Sequence, residues 1–411
     1  MMWREALPVL AFALTYLGMA LGRLPGLALD RTGIALCAAV ALLAAGALPA
    51  NAVAGAIDAP TLAILFGLMI VSTMFALAGF YDWCAARIGA ASSSPTALLA
   101  LTVVSAGLLS ALLANDVVVF AMTPMLCRGI AVRGLDPRPF LIALAGASNA
   151  GSAATLIGNP QNIVIGEIGH LDFGAFASIC APPALLAMLV VFVTVRLVFR
   201  AAFSARPLPN VVPLPPLDRG LMWKAGLATA LLIALYLAGA PRALTTLAVA
   251  ALLLVSRRIH TRSVLGEIDW ALILLFACLF IVNAAFGLTG YPGQAVTWLT
   301  AQGVTPDRLG VLTPLALVAS NTIGNVPAVV MILSLWPGLD SGALYALALL
   351  STLAGNLLIV GSLANIIVVQ RAADTGVKLG FVEHARAGIP MTLASMAVAV
   401  LWLWATGTVR W

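Results

Sequence analysis

Charge is what this chain most lacks. Only 9% of its 411 residues are Asp, Glu, Lys or Arg, against about 25% in a soluble domain. A soluble fold needs a solvated surface however large its core, so this scarcity excludes an ordinary water-soluble protein. Histidine is scarce too: the three present (His170, His260, His384) all read as loop residues with a solvated role. The five cysteines (Cys37, Cys84, Cys127, Cys180, Cys278) are scattered and lack metal-ligand spacing, so neither a disulfide framework nor a zinc site is indicated. No nucleophile and base pair falls within an apolar segment, which argues against an enzyme. The net charge of +6 suits basic residues bordering a bilayer better than nucleic acid, and no nucleic-acid partner is expected.

What is abundant is apolar side chain, 62% of the sequence. A membrane-crossing helix needs roughly 20 apolar residues. Apolar runs between polar breaks fall at 5–21, 31–49, 60–80, 95–127, 139–168 and 174–200. A second series falls at 220–239, 242–257, 267–290, 308–336, 342–372 and 386–408. The run from Glu5 to Leu21 reads as a first span rather than a signal peptide, since no convincing small-residue cleavage site follows. Between the series, residues 201–219 carry Pro207, Pro209, Pro213, Pro215 and Pro216, which predicts an extended, non-helical linker. The fold class predicted is an all-α polytopic membrane protein with about ten transmembrane helices, with 95–127 and 308–336 as re-entrant hairpins. With the linker inside the cell and both hairpins returning to the side they enter, 17 basic residues lie inside and 4 outside. Two full crossings per hairpin would preserve the same bias. Both termini are then outside, and the expected location is a bacterial inner membrane, with the lipid bilayer as one partner.

The two series match weakly. Ile57-Asp58 pairs with Ile268-Asp269, the run Phe75–Phe80 with Phe286–Tyr291, and Ser110–Asn115 with Ser320–Asn325. Later, Ser148 pairs with Ser351, Gly158 with Gly361 and Asn162 with Asn365. Residues 1–200 and 220–411 are therefore predicted to be two repeats. With five crossings and one hairpin each, the second must insert upside down, a pattern that marks secondary transporters with a midplane site.

Polar, glycine-containing interruptions at membrane depth locate that site. Non-helical backbone there is tolerated only inside protein or along a watery cavity, and broken helices offer free N–H and C=O groups to ions. The candidates are Asn115, Asp116, Ser148, Asn149, Thr155, Gly158, Asn159, Gln161 and Asn162 in the first half. In the second half they are Ser320, Asn321, Thr322, Asn325, Asn356, Gly361, Ser362 and Asn365. Each polar side chain has a bland reading as an interhelical hydrogen bond, and Gly158, Gly324 and Gly361 could equally serve close packing. Asp116 is the sharpest of them, as the acidic residue near the centre of an apolar segment. Such a carboxylate is costly to desolvate and points to function, alongside a structural reading as a helix cap. No Lys or Arg is placed at its depth, so Asp116 is expected to hold a proton or bind a cation. A free anion would then have to arrive with a cation or when Asp116 is protonated, whereas a neutral hydroxylated solute meets no such conflict.

At these motifs the chain resembles the ion transporter superfamily, which includes ArsB-type arsenite permeases, NhaD-type sodium/proton antiporters, citrate transporters and dicarboxylate/sodium symporters. Leu113-Ala114-Asn115-Asp116 with Thr123-Pro124 resembles the arsenite-permease hairpin. The run Thr155–Asn162 is more similar to YbiR-type putative anion transporters, and Ser320-Asn321-Thr322 to the Ser-Asn-Thr signature of sodium-binding symporters. The first half has Ser148-Asn149-Ala150 instead. The resemblance implies a scaffold, a mobile transport domain moving as an elevator, and a bound sodium at Asn115, Asp116, Ser320, Asn321 and Thr322; no other cofactor is expected, and a homodimer is compatible with it. The leading expectation is cation-coupled transport of a small anion or oxyanion, by symport or antiport. Arsenite efflux against protons, sodium/proton antiport and, from another class, an ion channel are the alternatives.

Overall fold

The computed structural model describes residues 2–22, 28–90, 94–204, 208, 214–257 and 259–411. Helices α1 (Met2–Leu21), α2 (Arg31–Ala44), α3 (Ala50–Ala56), α4 (Ala59–Leu77) and α5 (Phe80–Ala90) open the chain. They are followed by α6 (Pro95–Leu112), α7 (Asn115–Ala131), α8 (Arg138–Ser152), α9 (Pro160–Ile168) and α10 (Phe173–Val198). The second half runs α11 (Arg219–Leu237), α12 (Arg242–Leu254), α13 (Thr261–Gly266), α14 (Trp270–Gly287) and α15 (Tyr291–Ala301). It ends with α16 (Leu309–Ile323), α17 (Asn325–Leu335), α18 (Ser341–Ala354), α19 (Leu363–Ala373) and α20 (Phe381–Ala405). Among the described residues no strand forms; one isolated bridge joins Arg308 to Arg410.

Among the described residues, six helices (α4, α6, α10, α11, α14, α20) are long and apolar enough to cross a membrane. Large apolar side chains such as Leu227 and Trp223 on α11 lie exposed, as expected where the surrounding solvent is lipid rather than water. Acidic residues gather at helix starts, where a carboxylate meets unpaired N–H groups and the positive end of the helix dipole. Asp58 accepts from Thr61 N at 3.2 Å, and its sequence counterpart Asp269 accepts from Leu272 N at 2.9 Å. Asp30, Asp172 and Asp340 cap α2, α10 and α18 in the same way.

The packing is reciprocal between the halves. Helix α4 lies on α12, and α14 lies on α2; α8 packs on α6, and α18 on α16; α7 meets α19, and α17 meets α9; α10 and α20 pack on each other. The segments 95–127 and 308–336 each form a helix pair, α6–α7 and α16–α17. The first turns through extended backbone at Leu113 and Ala114. The second turns at Gly324, whose φ of +93° is a conformation that only glycine adopts cheaply. The predicted spans 139–168 and 342–372 are each broken, into α8 and α9 and into α18 and α19, the latter with a 3-10 turn at Ile359–Gly361.

The linker differs from expectation at its start. Arg200–Phe203 form a 3-10 turn continuing α10, because the prolines lie further on. Pro207, Pro209 and Pro213 fall outside the described residues; Pro215 and Pro216 are non-helical as predicted. Past them, Asp218 N donates to Ala78 O at 3.0 Å, tying the linker's end to the α4–α5 junction. The short helices α3, α5, α13 and α15 have no counterpart in the sequence reading.

Candidate functional site

The breaks in α8–α9 and α18–α19 face one another, and asparagine amides lock them together. Asn162 Nδ2 donates to Ser152 O at 3.2 Å and Thr155 O at 2.9 Å, holding the first break in shape. Asn365 Nδ2 does the same in the second break, to Gly355 O at 2.8 Å and Leu358 O at 3.1 Å. Donor and both acceptors are displaced by one offset, 365 less 162, or 203 residues. Across the halves, Asn149 Nδ2 donates to Asn356 Oδ1 at 2.8 Å and to Asn365 Oδ1 at 3.2 Å. Its Oδ1 accepts from Ser362 Oγ at 3.0 Å and Asn115 Nδ2 at 3.4 Å. The mirror contact is Thr352, 203 residues after Asn149, whose hydroxyl accepts from Gln161 Nε2 at 3.1 Å and Asn159 Nδ2 at 3.4 Å.

The hairpins close onto this core. Asn115 N donates to Gly158 O at 3.1 Å, and Ser110 and Ser148 hydroxyls share a 2.8 Å bond. Thr155 Oγ1 donates to Ala111 O at 2.5 Å. In the second hairpin Ser320 Oγ donates to Ser351 O at 3.3 Å, and Asn321 Nδ2 to Ala354 O at 2.8 Å. Glycine permits these approaches: a Cβ on Gly158 would lie 2.3 Å from Ser152 O, and one on Gly361 would lie 2.4 Å from Asn321 Oδ1. Asn325 is buried beside Gly355 at the start of α17. Sixteen of the seventeen candidates thus gather at the breaks and hairpin tips. Thr322 does not: it is exposed, and its hydroxyl bonds Val318 O of its own helix.

A cavity of about 540 Å³ reaches this core. Asp116, Asn159 and Pro160 line it, along with α4 (Leu65, Met69, Thr73), the α14 cap Asp269 and Ile367 of α19. Asp116 sits in the first turn of α7, but the cap residue is Ala114, whose N–H is bonded to Ser72 Oγ at 3.2 Å. Among the described residues the Asp116 carboxylate has no hydrogen bond or ion pair, so the capping role is not what holds it there. Arg128 and Arg371 line the same cavity, as do Asp82 and Glu267. All four come from segments read as loops or span ends, and the helix faces that carry them inward depend on tertiary packing. His384 is likewise no loop residue: it is buried in α20 with Nε2 3.2 Å from Asn356 O. Thr352 was recoverable from sequence by carrying Asn149 across the repeat offset.

Chemically the core is acceptor-rich. Asn115 Oδ1, Asn162 Oδ1 and Asn321 Oδ1 are buried without a donor. Neutral amide oxygens suit a hard cation such as sodium; Asn115 neighbours Asp116 at one hairpin, and Asn321 neighbours Ser320 at the other. The starts of α17 and α19 carry no side-chain cap, leaving N–H groups that suit an oxygen-rich anion; at α7 the first N–H is taken by Gly158 O.

Residues 14–342 match the model of the citrate transporter family, CitMHS. The chain belongs to that family. It is 29% identical over 377 residues to an uncharacterized transporter of Mycobacterium tuberculosis, covering 85% of this chain and 86% of the relative. It is 25% identical to a silicon efflux transporter of Oryza sativa subsp. japonica, over 95% and 96% of the two chains. The crystal structure of the YdaH transporter of Alcanivorax borkumensis superposes with a TM-score of 0.62 at 15% identity, over 99% of this chain and 98% of that one, a likeness of fold alone. This family member is a multi-pass membrane protein of transporter type, as the resemblance to the ion transporter superfamily implied.

Proposed function

We propose that this family member is a secondary active transporter of a bacterial inner membrane, coupling a proton or sodium to a small oxyanion or its protonated, hydroxylated acid. One observation carries the reading: Asp116, whose carboxylate has no hydrogen bond or ion pair among the described residues, lines the cavity together with Asn159 and Pro160 of the first broken span. The cavity walls hold four carboxylates (Asp82, Asp116, Glu267, Asp269) and two guanidiniums (Arg128, Arg371). A lone anion would meet an excess of negative charge, so it travels with its cation or as the neutral acid. The same excess favours a second reading, sodium/proton antiport without an organic substrate. The family's name points to citrate and the rice relative's to silicon, so both belong in the solute panel.

The reciprocal packing and the hydrogen bonds repeated at one offset support two inverted repeats, 1–200 and 220–411, of five crossings and one hairpin each. Helices α1, α2, α4, α11, α12 and α14 would form the scaffold, and the hairpins with the broken helices the moving part.

The test is flux in proteoliposomes across a solute panel, with proton and sodium gradients imposed separately. Asp116→Asn is expected to abolish gradient-driven flux in a protein that still folds. Unchanged coupling in that variant would remove Asp116 from the mechanism, and gradient-independent flux far above carrier rates would replace the carrier with a channel.

A further inference from the structure

The halves match in their core contacts but differ at their rims, and the difference is concentrated at two arginines. Arg242 opens α12 and Arg31 opens α2. They are separated by 242 less 31, or 211 residues, the offset that also relates Asp269 to Asp58. Arg242 is engaged. Its Nε lies 2.7 Å from Glu167 Oε1, and its terminal nitrogens donate to Gly166 O at 2.7 Å and Leu171 O at 3.0 Å. It thereby fastens α12 to the end of α9, and α9 packs directly on α4. Arg31 is not engaged: among the described residues it has no ion pair or hydrogen bond, and its guanidinium rests near Gly324 at the tip of the second hairpin. The equivalent helices α14 and α19 are separated by the cavity, which Asp269 and Leu272 line from one side and Ile367 and Arg371 from the other. Where α9 is followed by Leu171, α19 is followed, 203 residues on, by Asp374, an exposed carboxylate whose one ion pair among the described residues is with Arg371 of its own helix end.

We propose that Arg242 and Arg31 are reciprocal clamps, each holding one end of the transport unit closed while the other end is open. The proposal rests on the two-repeat carrier reading. In the state described, Arg242 seals the end carrying Glu167, and the cavity opens toward the end carrying Arg128 and Arg371. In the opposite state Arg242 lets go of Glu167, and Arg31 leaves the hairpin tip for the end of α19. There Asp374 supplies the carboxylate and the last carbonyls of α19 supply the acceptors.

Two reporter cysteines read the exchange in a background without the five native ones. Ile367→Cys lies in the open cavity, and Val164→Cys, its counterpart at 367 less 203, is fully buried in α9. Each is labelled with a membrane-impermeant maleimide in vesicles of known sidedness. Arg242→Gln is expected to raise Val164→Cys labelling about tenfold relative to Ile367→Cys, the scale of one charge-assisted hydrogen bond. Arg242→Lys, which keeps charge but not the planar double donor, should move the ratio less, and Arg31→Gln should move it the other way. Ratios unmoved by Arg242→Gln while wild-type flux stays gradient-driven, or both rates rising together, would overturn the clamps. A shifted ratio with no wild-type flux of any solute would support the clamps and sink the carrier reading instead.

Discussion

Asn149→Ala removes the side chain on which the two halves converge. Its amide makes four contacts, at 2.8, 3.0, 3.2 and 3.4 Å. The longest is weak, leaving three sound hydrogen bonds. Buried bonds in water-soluble proteins are worth about 0.5–1.5 kcal/mol each, and interhelical bonds in membranes average about 0.6 kcal/mol, so the direct loss is roughly 2 kcal/mol. Truncation also strands the partners: Asn356 Oδ1 and Asn365 Oδ1 each lose a donor in a region without water, which adds about 1–2 kcal/mol. The total is about 3–4 kcal/mol, a fall of roughly 5 °C in the apparent melting temperature of the detergent-solubilised protein. Asn149→Asp is more telling because it keeps the shape. Carboxylate oxygens would then face Asn356 Oδ1 and Asn365 Oδ1 as acceptor against acceptor, so Asp should be at least as damaging as Ala. Melting followed by size-exclusion chromatography after heating, together with flux, measures both. Melting temperatures for both variants within about 1 °C of wild type would refute the claim that Asn149 joins the halves.

Two further substitutions separate packing from position. Gly158→Ala should lower stability and flux more than Gly361→Ala, since a methyl at 158 meets backbone (Ser152 O, 2.3 Å) whereas at 361 its nearest neighbour is a side-chain amide that can turn away; equal effects on melting would contradict this. Thr322→Ala should leave stability within about 0.5 kcal/mol and sodium dependence unchanged, since Thr322 is exposed and bonds its own helix; lost sodium dependence would return it to the site.

Much of this was legible in the sequence because the bilayer imposes strict rules. Apolar runs marked the helices, and Asn-Gly-Ser breaks marked where helices end in mid-membrane. The paired offset of Asn162 and Asn365 falls on two residues that make equivalent hydrogen bonds, to Ser152 O and to Gly355 O. What escaped depended on which way a helix face turns. Arg128, Arg371 and Asp82 read as span ends, yet packing turns them into the cavity. His384 read as solvated, although the carbonyl of Asn356 waits for it across a helix interface. Thr322 shares a motif with Ser320 and Asn321 but sits where the helical turn carries it outward. The small helices α3, α5, α13 and α15 escaped because they are too short to show an apolar period.

The way the core is tied bears on how it moves. Every break is braced twice, once by an asparagine of its own half and once by a side chain of the other: Asn162 and Thr352 for the first, Asn365 and Asn149 for the second. Opening one break alone would cost bonds in both halves at once, most of them between buried groups. Polar contacts from this core to α4, α12 and α14 are fewer; Ala114 N to Ser72 Oγ lies at the tip of the first hairpin, and others lie nearer the rim. Arg242 with Glu167 is one, and Ser334 Oγ with Asn283 Oδ1 at 3.0 Å is another. A motion that breaks these contacts and leaves the centre intact is the less costly one. That favours displacement of the hairpins and broken helices as a block, with Asp116 carried along, over local gating at either break.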